Sequence, residues 1–243
     1  LSTAGLDPQA AAQLQAQQAL ARLGQGDIWT ADTYIAKATE VQPDDAEVQI
    51  AEARMLAASA KFDEALEVIQ RVLEAQSDKR EAWSLKGDLL SAQQKFPQAL
   101  AAYEVAIELS PNSLNDRVKR GLVNMELQRL EDVATDAEFL LGVDPKHPIS
   151  NYLQGSLDFH NGKYADSIAA LSLAEPAAEQ YPLILFYLAG AHLVQGNEVE
   201  ALRHAKRQVS INPSFVPGRI MLASIYLKQS SAKEAQRTLR PVL

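Results

Sequence analysis

Apolar positions along the chain fall in pairs of helical blocks, and the pairs repeat at a fixed spacing of 34 residues with no insertion or deletion. The clearest copy begins at Arg80. From Arg80 to Gln94, Trp83, Gly87 and Leu90 recur at the spacing of one helix face. Lys95-Phe96-Pro97 interrupts that pattern, and proline is well placed in the first turn of a new helix. From Gln98 to Leu109, Ala99, Leu100, Tyr103, Ala106 and Ile107 again follow i, i+3, i+4 spacing. Ser110-Pro111-Asn112 stops the second block. Each unit therefore predicts a helix A, a short turn, a helix B and a second short turn.

Two columns of small residues hold the units in register. One reads Ala31, Ala65, Ala99, Val133, Ser167, Ala201, Ala235; the other, twelve residues upstream, reads Ala19, Ala53, Gly87, Gly121, Gly155, Ala189, Ala223. A third marks the end of units with Pro43, Ser77, Pro111, Pro145, Glu179 and Pro213. Antiparallel helices approach closely only where crossing residues lack bulk, with Phe96 and Tyr103 expected to fill the space beside the crossing. Self-similarity at this period marks a solenoid, in which each unit buries its apolar face against its neighbours. The expectation is one all-α array over residues 1–243. Its repeats start near 12, 46, 80, 114, 148, 182 and 216, the last incomplete. Turns are expected near Gly26, Lys61, Lys95, Arg129, Gly162, Asn197 and Ser231. Pro176 falls inside the second helix of the fifth unit, so that helix should end near Glu175, with Ala177 to Tyr181 as a longer link.

The phrasing resembles the tetratricopeptide repeat (TPR) family, on which Trp83, Gly87, Ala99, Tyr103, Ala106 and Pro111 fall in one unit. The resemblance runs from about Ala12 to Leu243. It implies a right-handed TPR superhelix, an α-solenoid of seven helix-turn-helix repeats. Lys86 departs from the pattern, as do Val133, Ser167, Leu140 and Gln208. The column usually held by Tyr carries Leu90, Asn124, Asp158 and His192, the last three able to form a polar ladder. At a finer level, Trp83-Ser-Leu-Lys-Gly-Asp-Leu-Leu, the stretch from Tyr152 to Tyr164, and Ala223-Ser-Ile-Tyr-Leu-Lys-Gln resemble the TPR lipoproteins of bacterial exosortase (PEP-CTERM) exopolysaccharide systems. That likeness implies a periplasmic, lipid-anchored scaffold in the cell envelope; a cytoplasmic setting stays open.

Composition narrows the function classes. The 243 residues carry a net charge of −8, which argues against a nucleic-acid partner. The charge is uneven: residues 1–111 sum to −8 and residues 200–243 to +6. An acidic partner, or a homo-oligomer joined through uncapped ends, would use that asymmetry. No apolar run is long enough for a membrane span. The chain opens on Leu1, with no signal peptide, and its seventh unit stops early at Leu243, so a piece of a longer protein is expected. No phosphate loop, zinc motif or nucleophile elbow is present, there is no cysteine, and no two of His147, His160, His192 and His204 share i, i+4 spacing. The expectation is a non-enzyme with no cofactor and no metal. Trp29 and Trp83 read as packing residues.

In the TPR family, helix A lines the concave side, so the resemblance implies where a partner would sit. The relevant offsets of helix A are dominated by polar and small residues in the first three units. From the fourth unit they carry Leu122, Met125, Tyr152, Phe159, Phe186, Leu193, Ile220 and Leu227. Such an apolar strip marks a partner-binding groove for a protein or peptide segment. Lys119 and Arg120 fall on neighbouring offsets and do not rebuild the carboxylate clamp of the chaperone-type members. Two other readings stay open: the regulatory TPR arm of a larger enzyme such as a glycosyltransferase, and a self-associating structural array.

Overall fold

The computed structural model of the chain describes residues 5–242. Residues 1–4 and Leu243, the two extremes of the array expected from sequence, lie outside the described residues. Fourteen α-helices and no strand are found among the described residues. The A helices are α1 (Pro8–Gly24), α3 (Ala46–Ala58), α5 (Arg80–Ala92), α7 (Leu114–Glu126), α9 (Pro148–His160), α11 (Leu183–Val194) and α13 (Val216–Lys228). The B helices are α2 (Ile28–Val41), α4 (Phe62–Ala75), α6 (Phe96–Leu109), α8 (Leu130–Val143), α10 (Tyr164–Ala174), α12 (Glu198–Ile211) and α14 (Ala232–Leu239). The pairing follows the register expected from the small-residue columns. The helix contacts divide the chain into two compact units, the first ending at Val123 and the second beginning at Asn124.

Every A-to-B turn is closed in the same way. The residue in the left-handed region is Gly26, Ala60, Gln94, Gln128, Gly162, Gly196 or Ser230, with φ between +57° and +79°. The next residue's amide reaches back to the carbonyl five residues earlier, on the third residue from the helix end. The bonds are Asp27 N to Arg22 O at 3.0 Å, Lys95 N to Leu90 O at 2.9 Å and Lys163 N to Asp158 O at 2.8 Å, with equivalents in the other four turns. This is the Schellman arrangement, which satisfies carbonyls that the helix leaves free. The first helix starts earlier than expected because Asp7 caps it, accepting from Ala10 N at 2.9 Å, with Pro8 in its first turn.

Both small-residue columns are buried throughout. Gly87 shows why: a Cβ there would stand 2.4 Å from the Tyr103 ring. At Gly155 it would meet Leu171 at 2.6 Å. Ser167 keeps its place among the alanines by donating its hydroxyl to Gly155 O at 2.7 Å, so its polar atom is satisfied inside the crossing.

In the fifth repeat α10 ends at Ala174, a 3-10 turn follows over Glu175–Ala177, and α11 does not begin until Leu183. Pro176 enforces this break, as expected from its missing N–H. One packing assignment is corrected. Trp29 is 81% exposed at the start of α2 and is not a core residue. Trp83 does pack: its indole donates to Ser77 O at 2.8 Å, and Lys86 Nζ lies 4.9 Å from its ring centroid.

Candidate partner-binding face

In the first unit a polar network joins α5 and α7. The Asp116 carboxylate is fully buried and accepts from Ser84 Oγ and Ser113 Oγ, both at 2.6 Å, and from Arg80 Nη1 at 2.8 Å. Burial alone would raise its pKa, but the bonds from Ser113, Ser84 and Arg80 outweigh that and hold the carboxyl below its usual range. Lys119 Nζ donates to Asp88 at 2.7 Å and to Ser84 Oγ at 3.1 Å, and Tyr103 gives its hydroxyl proton to Asp88 at 2.8 Å. Burial, then the Asp88 charge, pushes the Tyr103 phenol up. Lys119 is therefore engaged within the repeat stack. Leu122, on α7 within this first unit, is half-buried.

In the second unit the expected strip runs from shut-in to open along the chain. Tyr152 departs from expectation: it is 4% exposed, covered by Tyr181 and Tyr187 with ring centroids at 6.0 and 6.5 Å. Its phenol is pushed up by burial, then by Tyr187. Two rings from the following link and helix close over it, so Tyr152 is core and cannot be a contact for a partner. Met125 and Phe159 are half-buried. Phe159 leans across to Tyr187 at 5.2 Å and Tyr164 at 5.5 Å. It can do so because Gly190 has no side chain; a Cβ there would lie 2.9 Å from the Phe159 ring.

Phe186 is half-buried, edge-on to Phe215 at 5.3 Å and to Tyr187 at 5.7 Å. Leu193 is partly buried against Ala189, Ala201, Ala205, Leu222 and Ile225. Ile220 and Leu227 on α13 are 52% and 58% exposed, and Val194 at the end of α11 is 59% exposed. Tyr187 was missed from sequence, although it touches Tyr152, Phe159, His160 and Phe186. It lies one residue past the offset taken to face the groove.

The polar column of this unit does not form a ladder. Asn124 and Asp158 are buried, and Asp158 takes its hydrogen bond from Gln154 on its own helix at 3.0 Å. His192 stacks on His204 at 5.5 Å with the rings 6° from parallel. Among the described residues no group of three His, Asp or Glu could hold a metal ion, and no helix is long and apolar enough to cross a membrane.

The sequence profile of a tetratricopeptide repeat-like domain matches residues 6–132, more than half of the chain, and a second tetratricopeptide repeat profile matches residues 118–182. The chain belongs to the tetratricopeptide repeat family. Solved TPR-type structures agree in fold. The APC/C hetero-tetramer Cut9–Hcn1 superposes with a TM-score of 0.80 at 13% identity, over 93% of this chain and 45% of that one. This chain thus spans under half of that neighbour. Pseudomonas aeruginosa PilF gives 0.76 at 18% identity, covering 90% of this chain and 100% of the other. YrrB, described as a TPR protein with an unusual peptide-binding site, gives 0.57 at 16% identity over 76% and 95%. Among curated proteins none matches the chain. At these identities the neighbours establish the TPR solenoid and nothing finer.

Proposed function

We propose that this TPR protein is a non-enzymatic scaffold that holds an extended segment or amphipathic helix of a partner protein on the A-helix face of its second unit. The observation that carries the reading is the exposure of Ile220 and Leu227 on one face of α13, beside the half-buried Phe186 of α11. Large apolar side chains left in water give up roughly 1–3 kcal/mol each that a covering partner would recover. Side chains at alternate turns of successive helices suit a segment that presents apolar anchors at regular spacing. YrrB, a neighbour described by its peptide-binding site, supports a peptide as the ligand class. Tyr152 is left out of the contact set, and Phe159, Leu193 and Met125 are half-buried.

The test is site-specific photo-crosslinking in the source cells. A photoreactive side chain at Ile220 or Leu227 should trap a discrete protein partner. The same group at Val199, which is 78% exposed at the start of the B helix α12, should not. Equal trapping at all three sites would refute the assignment of the face.

The setting we attach to this scaffold is a bacterial envelope or polysaccharide-export assembly. Its support is the phrasing around Trp83, Tyr152 and Ala223. Fractionation of the full-length protein tests it, and a wholly cytoplasmic distribution would overturn it.

A further inference from the structure

A cleft lies between α2 and α3, in the first unit, and two bridges present in the next repeat are missing there. Between the second and third repeats, Lys86 Nζ donates to Gln70 Oε1 at 3.3 Å and Gln93 Nε2 donates to Asp63 Oδ1 at 2.9 Å. Thirty-four residues earlier the same four places hold Glu52, Ala36, Ser59 and Trp29. Ala36 offers no acceptor, and Trp29 stands 81% exposed where Asp63 reaches across in the next repeat. The space left open is about 450 Å³.

Its lining is of two kinds. Ile35, Met55 and Leu56 give an apolar floor, the first two almost wholly buried, and Asp32, Glu40 and Glu52 stand at the rim. None of these three carboxylates has an ion-pair partner among the described residues. Lys61, a cation that also lines the cleft, is paired with Glu64 at 3.3 Å. Thr39 completes the wall with a hydroxyl oxygen that is screened from solvent and has no hydrogen-bond partner. The surrounding half of the chain is strongly acidic, with residues 1–111 at −8.

We infer that this cleft takes the side chain of a lysine or arginine on a partner protein. The hydrocarbon stem would lie along Ile35, Met55 and Leu56, as long cationic side chains do on apolar surface. The charged head would meet the three free carboxylates. This site is separate from the apolar face of the second unit and does not depend on it.

The test uses the whole chain with labelled Ile, Leu and Met methyl groups, titrated with Nα-acetyl-arginine amide and Nα-acetyl-lysine amide. Nα-acetyl-norleucine amide is the neutral control with a similar stem. The cationic probes should shift the Ile35, Met55 and Leu56 methyls saturably, and the norleucine probe should not. Glu40→Gln with Glu52→Gln should weaken binding about tenfold. Ala36→Gln with Ser59→Gln gives these sites the side chains of Gln70 and Gln93 and should abolish the shifts. Glu40, Ala36 and Ser59 are exposed and Glu52 is half-buried, so an unchanged melting temperature shows that the fold is intact. Equal shifts from norleucine amide, no saturable shift with either cationic probe, or unaltered binding in the Glu-to-Gln pair would overturn the inference. Spermidine saturating the cleft where the amino-acid probes do not would assign it to a free cation, and would also overturn it.

Discussion

Exchanging residues between two turns of the second unit isolates the backbone demand that the repeats share. Gly162 and Gln128 occupy equivalent places, with φ of +74° and +57°. An added Cβ at Gly162 meets nothing within 4 Å, so Gly162→Ala changes no packing and acts through φ alone. An L-residue in the left-handed region costs about 1–2 kcal/mol. Glycine loses back about 0.4–1 kcal/mol because its unfolded chain is freer. The difference leaves Gly162→Ala destabilising by about 0.5–1 kcal/mol, and Gln128→Gly stabilising by a similar amount. Gly24, the last residue of α1, has equally open surroundings and no positive φ, so Gly24→Ala should be neutral or stabilising. Urea midpoints at constant slope read all three. If Gly162→Ala stabilised the protein as Gly24→Ala does, the left-handed turn would not be what limits residue choice at this place.

Three further outcomes follow from the packing. Gly87→Ala should cost about 1–3 kcal/mol because the Tyr103 ring, tied to Asp88, fills the space its methyl needs; pairing it with Tyr103→Ala should make the two losses non-additive in a double-mutant cycle. Asp116→Ala should lower stability by roughly 3 kcal/mol, since Arg80, Ser84 and Ser113 lose their shared acceptor inside the first unit, and thermal denaturation would show it. His204 is 2% exposed, and burial, then Arg203, pushes its pKa down to about 4. Its neutral form is favoured in the fold, so its contribution is complete above the unfolded value near 6.5 and is lost as pH falls toward 4. That amounts to about 3 kcal/mol, and a His204→Gln variant should lack this part of the stability–pH slope.

Much of the fold was readable because it is written seven times. The two small-residue columns set the helix pairs, and Pro176 announced the break after Ala174. The turn chemistry was hidden: only Gly26, Gly162 and Gly196 among seven left-handed residues are glycine, and Ala60, Gln94, Gln128 and Ser230 disguise the rule. Tyr152 was misplaced for a reason tied to the same proline. The link after Pro176 brings Tyr181 over it, and no repeat offset describes a segment that has left the repeat. The Asp116 network was missed because its partners Arg80 and Ser84 lie 36 and 32 residues away, on the preceding A helix. Trp29 was assigned to packing by residue type alone, whereas its place in the unit is filled elsewhere by Asp63 and Val199, both exposed.

The central claim is that the A-helix face of α11 and α13 holds the partner. Ile220→Asp with Leu227→Asp tests it most directly, in a quantitative binding assay with the partner trapped by crosslinking. Both side chains are more than half exposed, so the melting temperature should stay within about 2 °C of the parent. Partner affinity should fall at least about tenfold, the loss expected when two apolar anchors can no longer be covered. Unchanged affinity with an unchanged melting temperature would contradict the account and move the site off this face.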